Sequence, residues 1–195
     1  MAAVSTITLE QWELLDEDDS RELVDGHLEE PEMPDAVHET AVLWLATLLR
    51  EYFVRRGGFV FASGLKYVVS PVRGRIPDLS VMSTSSPRRR GVQRAAPDLV
   101  VEVVSPTPSD QRRDRIAKVH DYAQLGARWY WLVDPTLRTI EVLERMGDGR
   151  YAHAAAASEG TLVSPGFDDL VIDLDALWTE VDRLPPESED EIAHR

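Results

Sequence analysis

Apolar positions recur with helical spacing in three parts of the chain. Between Asp35 and Arg56, the residues Val37, Ala41, Leu45, Leu48, Leu49, Tyr52 and Phe53 fall on one stripe. This predicts the longest helix, with Asp35 as its cap and Gly57-Gly58 as its end. Leu9, Trp12 and Leu15 predict a short helix over Thr8–Leu15, with Thr8 as N-cap and Gln11 closing a capping box. Thr107-Pro108-Ser109-Asp110 reads as an N-cap, a proline at the first helical position and an acid in the first turn. That helix runs to Leu125 and stops at Gly126. Ile116, Val119 and Ala123 are its expected buried stripe, and Arg115, Lys118 and Tyr122 lie on an adjoining face.

The strand signals are shorter. Glu22 to Leu28 reads as two short strands about the Asp25-Gly26 turn. Phe59–Ser63 and Leu65–Ser70 are expected strands joined near Gly64, and Ile76–Met82 is a third, entered through Pro77. Leu99 to Val104 is apolar on both faces, the mark of a buried central strand. Arg128–Asp134 is an aromatic strand whose Trp129, Tyr130 and Trp131 are expected in the core or at a dimer interface. Thr139–Met146 and Arg150–Ala156 form a hairpin through Gly147-Asp148-Gly149. Leu170–Ile172 is a last short strand and Asp173–Val181 a closing helix. A strand–helix–strand unit among hairpins predicts an α/β (α+β) domain with a central mixed sheet flanked by helices.

With 195 residues and 43% apolar content, the chain suits one domain, taken as residues 1–182. Residues 183–195 are an acidic, proline-containing tail, expected to be disordered. There is no cysteine, hence no disulfide framework and no cysteine-ligated zinc. No signal-peptide pattern opens the sequence and no run is long enough to span a membrane. The expectation is a soluble, cytoplasmic protein.

The formal net charge of −14 argues against indiscriminate attraction to nucleic acid. Its distribution changes that picture. Arg73 to Lys118 holds ten Arg/Lys against five acids, a local +5. Four of these, Arg88, Arg89, Arg90 and Arg94, sit in the long polar stretch 83–96, a candidate binding loop.

Glu102 stands in the middle of the most apolar strand. A buried carboxylate costs several kcal/mol unless it is paired or holds a metal. If the strands of Asp78 and Glu102 are neighbours, their carboxylates converge as hard-oxygen ligands of the kind Mg²⁺ or Mn²⁺ prefers. Lys118 follows on the next helix, close enough to reach back. Two acids and a lysine are minimum equipment for metal-assisted phosphodiester hydrolysis.

The ordered series Arg21-Glu22-Leu23-Val24-Asp25-Gly26, His38, Ile76-Pro77-Asp78, Pro97 through Pro106, Asp114 with Lys118 and Tyr122, and Trp129 through Pro135 resembles the PD-(D/E)XK nuclease superfamily. Within it, the series resembles the Uma-two-type family of restriction-endonuclease-like proteins, over about Leu9 to Leu177. The resemblance implies a restriction-endonuclease-like core, with Asp78 as the acid of the Pro-Asp motif and Glu102 as the second acid. The lysine expected two residues after that acid is Val104 here, and the resemblance assigns its role to Lys118. Glu22 resembles an additional N-terminal acid that completes such sites. Asp98 is expected to end a loop, and Asp114 to pair with Lys118 along the helix.

The leading expectation is therefore a Mg²⁺- or Mn²⁺-dependent endonuclease acting on DNA. Asp78 and Glu102 would hold the metal, with Lys118 and Glu22 assisting and Arg88, Arg89, Arg90 and Arg94 on phosphates. A homodimer is the expected assembly. The alternative is a catalytically inactive nuclease-fold module that binds nucleic acid or a protein partner. A two-carboxylate glycoside hydrolase explains neither the lysine nor the arginines.

Overall fold

In a computed structural model, which describes residues 6–16, 19–30, 33–62, 64–107 and 112–186, the capping signals become helix starts. Thr8 closes a capping box with Gln11 at the head of α1 (Leu9–Glu13). The Asp35 side chain accepts from the His38 amide at the head of α2 (Ala36–Val54). Asp25 and Gly26, with φ of 51° and 80°, make the tight turn between β1 (Glu22–Val24) and β2 (His27–Glu29).

Three sheets form. β3 (Phe59–Ala62), β6 (Leu79–Met82), β7 (Leu99–Val103), β8 (Trp129–Asp134), β9 (Thr139–Arg145) and β10 (Tyr151–Ala157) make a six-stranded sheet of order β10-β9-β8-β7-β6-β3. Only β7 and β8 are parallel in it. The reason is the crossover between them: a π-helical stretch, Arg113–Lys118, passes directly into α3 (Val119–Leu125). β4 (Tyr67–Ser70) and β5 (Arg73–Arg75) join β1 and β2 in a second sheet of order β2-β1-β5-β4. β11 (Thr161–Val163) and β12 (Val171–Asp173) pair on their own and lead into α4 (Leu174–Asp182).

β7 alternates as a strand must. Leu99, Val101 and Val103 pack with Trp129, Trp131 and Val133 against α2 and α4, in the larger core. Val100 and Val104 face the other way, with Tyr130 and Leu132, toward Tyr122 of α3. Trp129, Tyr130 and Trp131 are all buried, so the aromatic strand is core. A third cluster, Leu9, Trp12, Leu23 and Val92, joins α1 and the 83–98 loop to the small sheet. Trp12 lies so close to β5 that a Cβ at Gly74 would meet its ring at 2.4 Å. No helix among the described residues is long and apolar enough to cross a membrane.

Two sequence expectations are refined. β3 and β4, joined through Gly64, do not pair with each other: β3 pairs with β6, while β4 pairs with β5 in the other sheet. The chain changes layers there because β5 is a strand the sequence hides, three residues with arginine at both ends. On the crossover helix, Ile116 is 66% exposed and the buried residues are Asp114, Lys118, Asp121, Tyr122 and Ala123. The sheet presents Glu102 and the Tyr130 hydroxyl at this interface, and an apolar stripe would leave both unsatisfied. The helix therefore docks polar side down. The expected cap residues 108–111 and the tail beyond residue 186 lie outside the described residues.

Candidate active site

The β6–β7 register pairs Leu79 with Val101 and Ser80 with Val100. One more step places Asp78 opposite Glu102, on the face that meets α3. Directly opposed residues have Cβ atoms about 4.5–5.5 Å apart. The Val103 amide donates to Asp78 Oδ2 at 2.8 Å, closing the two strand ends together. Pro77 lets Asp78 enter the strand without an orphaned amide.

Five residues complete the cluster. Lys118 Nζ donates to Glu102 Oε2 at 2.9 Å and lies 3.0 Å from Asp114 Oδ1, its neighbour one turn back. The Tyr122 hydroxyl donates to Glu102 Oε1 at 2.6 Å. His38, in the first turn of α2, sits with Nε2 3.2 Å from Asp78 Oδ2. The Tyr130 hydroxyl donates to the Asp114 carbonyl inside the π-helical stretch at 3.1 Å. A local departure of this kind from the α-helical ladder is frequent where a helix serves a site.

Four carboxylates thus act on one lysine, Glu102 and Asp114 in contact and Glu22 and Asp78 at longer range. Burial raises the Glu102 carboxyl well above its ordinary range, and Asp78 and Asp114 add to the rise against the pull of Lys118. Burial also raises Asp114, again against Lys118. Burial alone would lower Lys118, but Glu102 and Asp114 outweigh it and hold the ammonium charged. Asp78 behaves oppositely to Glu102. Burial pushes it up, yet the His38 hydrogen bond and charge, Lys118 and the Val103 amide bring it below its usual value. His38 is correspondingly raised, because Asp78 outweighs its desolvation. Two opposed carboxyls with divergent proton affinities make this cluster a candidate functional site.

Glu22 bears on Lys118 and Tyr122 by charge, while its own oxygens are held by neighbours. Its Oε2 accepts from Arg75 Nη1 at 2.5 Å and its Oε1 from the Ile76 amide at 2.8 Å. Both oxygens are committed, so Glu22 anchors the segment leading into Asp78. Arg75 continues to Asp121 at 2.6 Å, and Arg73 bridges Asp121 to Asp25 at 2.7 and 2.6 Å. This ladder ties the small sheet to α3. Arg75 and Asp121 escaped sequence reading because they lie 46 residues apart and neither belongs to a periodic pattern.

The loop that carries the arginines has its ends, Ser83 and Asp98, roughly 14 Å along the strands from Asp78 and Glu102, and folds back so that Val92 packs on the small sheet. Asp98 ends that loop, as expected, accepting from the Ser83 and Thr84 amides at 2.5 and 2.9 Å. Arg88, Arg89 and Arg90 are exposed, and Arg94 pairs with Glu13 of α1.

Among the described residues, no group of three or more His, Cys, Asp or Glu is arranged to cage a metal ion. Mg²⁺ does not need one, since it is bound through one or two carboxylates and completed by water and substrate phosphate. Opposed Asp78 and Glu102 in an acid-rich pocket fit that requirement, provided Glu102 shares an oxygen now held by Lys118 or Tyr122.

A mixed sheet whose central strands oppose two acids, with a lysine supplied by the crossover helix, places this chain in a nuclease-like fold class. The chain belongs to the Uma2 family, whose model, described as "Putative restriction endonuclease", matches residues 8–175. A similar solved structure is that of "a putative nuclease belonging to DUF820" from Anabaena variabilis. The likeness has a TM-score of 0.72 at 20% identity, over 90% of this chain and 99% of that one. The search of curated proteins found no match.

Proposed function

We propose that the protein is a Mg²⁺- or Mn²⁺-dependent nuclease that hydrolyses phosphodiester bonds in DNA. The observation that carries this reading is the register that opposes Asp78 to Glu102 with the Lys118 ammonium 2.9 Å from the latter. Membership of a family described by restriction endonucleases supports the substrate class. Asp78 and Glu102 would hold the metal, which when bound supplies Lewis acidity toward a phosphoryl oxygen. Lys118 Nζ, buried and held charged, faces the site as a donor that orients a water and stabilises negative charge developing on the phosphate. His38 fixes the Asp78 carboxylate, and Tyr122 fixes Glu102.

One observation favours a second reading. Both Glu102 oxygens are already satisfied, as in a structural ion pair, which suits a nuclease-fold module that binds without cleaving. The two readings part in one experiment. Wild type and Asp78→Ala are incubated with single- and double-stranded DNA and RNA in Mg²⁺ or Mn²⁺, alongside calorimetric titration of Mn²⁺. Cleavage that disappears in the variant and in EDTA is expected. Absence of both cleavage and Mn²⁺ binding would leave the binding module as the reading.

A further inference from the structure

Beside the acid cluster lies a cleft of about 480 Å³ between the small sheet and the π-helical stretch. The arginine-rich loop that sequence reading singled out takes no part in it. Its walls carry Arg73 and Arg75 from β5 and Arg112 and Arg113 from the helix, with Ile116 and Ala117 as apolar wall. Asp25 and Glu29 are the acids that line it. Asp121 and Glu22 behind the wall compensate Arg73 and Arg75, which leaves Arg112 as the charge offered outward. Arg112 is exposed, and its guanidinium has no ion-pair or hydrogen-bond partner among the described residues. The other cations of the helix are engaged: Arg113 lies 3.8 Å from Asp114, Arg115 holds Asp134 at 2.8 Å, and Lys118 holds Glu102.

The cleft meets the acid cluster at two places. Ala117 directly precedes Lys118, and Arg75 grips the Glu22 that anchors the approach to Asp78. A ligand here must offer anionic groups to arginine and less polar surface to Ile116 and Ala117. A nucleic-acid strand alternates phosphate with sugar and base in that way. We infer that this cleft seats the phosphate backbone of the strand presented to Asp78, Glu102 and Lys118, with Arg112 contacting a phosphate. The inference rests on the nuclease reading and assigns its substrate track to the helix.

The test is fluorescence anisotropy of the full chain with a labelled single-stranded DNA oligonucleotide and its duplex, in EDTA so that no cleavage intervenes. Arg112→Glu, and independently Ile116→Glu, are expected to weaken binding on the order of ten-fold. Arg112→Ala is expected to lower the slope of log K against log salt by about 1, while Arg89→Glu leaves binding within about two-fold of wild type. Both 112 and 116 are exposed, so folding is preserved, and urea midpoints check it. Wild-type affinity in Arg112→Glu, loss of binding in Arg89→Glu instead, or no oligonucleotide binding by wild type would each overturn the inference. Cleavage is read separately. If no metal supports cleavage yet Arg112→Glu still sheds the oligonucleotide, the nuclease reading fails and the cleft stands.

Discussion

Replacing Lys118 by methionine removes the ammonium that buried Glu102 and Asp114 share while keeping most of the side-chain volume. The ammonium lies 2.9 Å from Glu102 and 3.0 Å from Asp114, and all three side chains are at most 8% exposed. At an effective dielectric constant of about 20, each contact is worth roughly 5–6 kcal/mol before desolvation. Breaking a buried pair on one side typically costs about 3–5 kcal/mol net. Proton uptake limits that loss. Keeping a carboxyl of ordinary pKa, about 4.3, neutral at about pH 7 costs near 3.7 kcal/mol at about 1.36 kcal/mol per unit. Glu102 is already raised in the wild type, so part of this is present before the substitution. The expected loss is about 3 kcal/mol near neutrality. A carboxyl raised in the folded state carries no penalty below its unfolded pKa and the full penalty above its folded one. Loss of Lys118 raises Glu102 and Asp114 further, so the gap between wild type and variant widens as pH rises from each carboxyl's folded value in the wild type toward its higher value in the variant. The widening is at most about 1.4 kcal/mol per pH unit for each proton. Urea unfolding of both proteins across about pH 5 to 8 measures it at constant m-value. A gap that stays constant with pH would refute the reasoning, because it would mean that Lys118 contributes packing rather than charge.

Two further outcomes follow from the same geometry. His38→Ala is expected to cost about 1.5–3 kcal/mol where His38 is protonated and Asp78 ionised. Because His38 is raised, that contribution is fully present below its unfolded pKa, about 6.5, and fades toward a neutral hydrogen bond as pH rises through the folded value. Because Asp78 is lowered, the contribution is also lost as pH falls through its depressed pKa, so urea midpoints should differ most in between. A difference that is flat from about pH 5 to 8 would contradict the pairing. Gly74→Ala puts a methyl 2.4 Å from the buried Trp12 ring and should destabilise by about 1–3 kcal/mol, with a shift in tryptophan emission. An unchanged urea midpoint and spectrum would mean α1 is not seated on β5.

Much of the fold was legible because its signals are local. Thr8 and Asp35 cap helices through their own side chains, Asp25-Gly26 turns through backbone torsions, and Gly126 stops α3 with φ of 96°. Runs such as Leu99–Val103 and Trp129–Asp134 can only be buried strands. The conflict of Glu102 with its apolar strand was visible for the same reason, and so was the spacing that lets Lys118 reach it. What the residues alone determined was therefore most of the elements and the need of buried Glu102 for a partner such as Lys118.

Tertiary structure decided the rest, because it depends on which surfaces meet. The layer change between β3 and β4 needs β5, a strand too short and polar to announce itself. Ile116 looked like core by period, yet buried charge on the sheet outranked it and turned the polar face of the helix inward. Glu22 acts on Lys118 by charge, but that Arg75 and the Ile76 amide hold its oxygens follows only from how the small sheet packs. The arginine loop is close to Glu102 in sequence, yet its ends, Ser83 and Asp98, lie at the far end of the strands, since an antiparallel connection joins the ends away from the opposed acids. Charge counted along a chain does not say which cations share a cleft. Here helix docking brought Arg112 into one cleft with Arg73 and Arg75, a cleft that Arg88, Arg89 and Arg90 do not line.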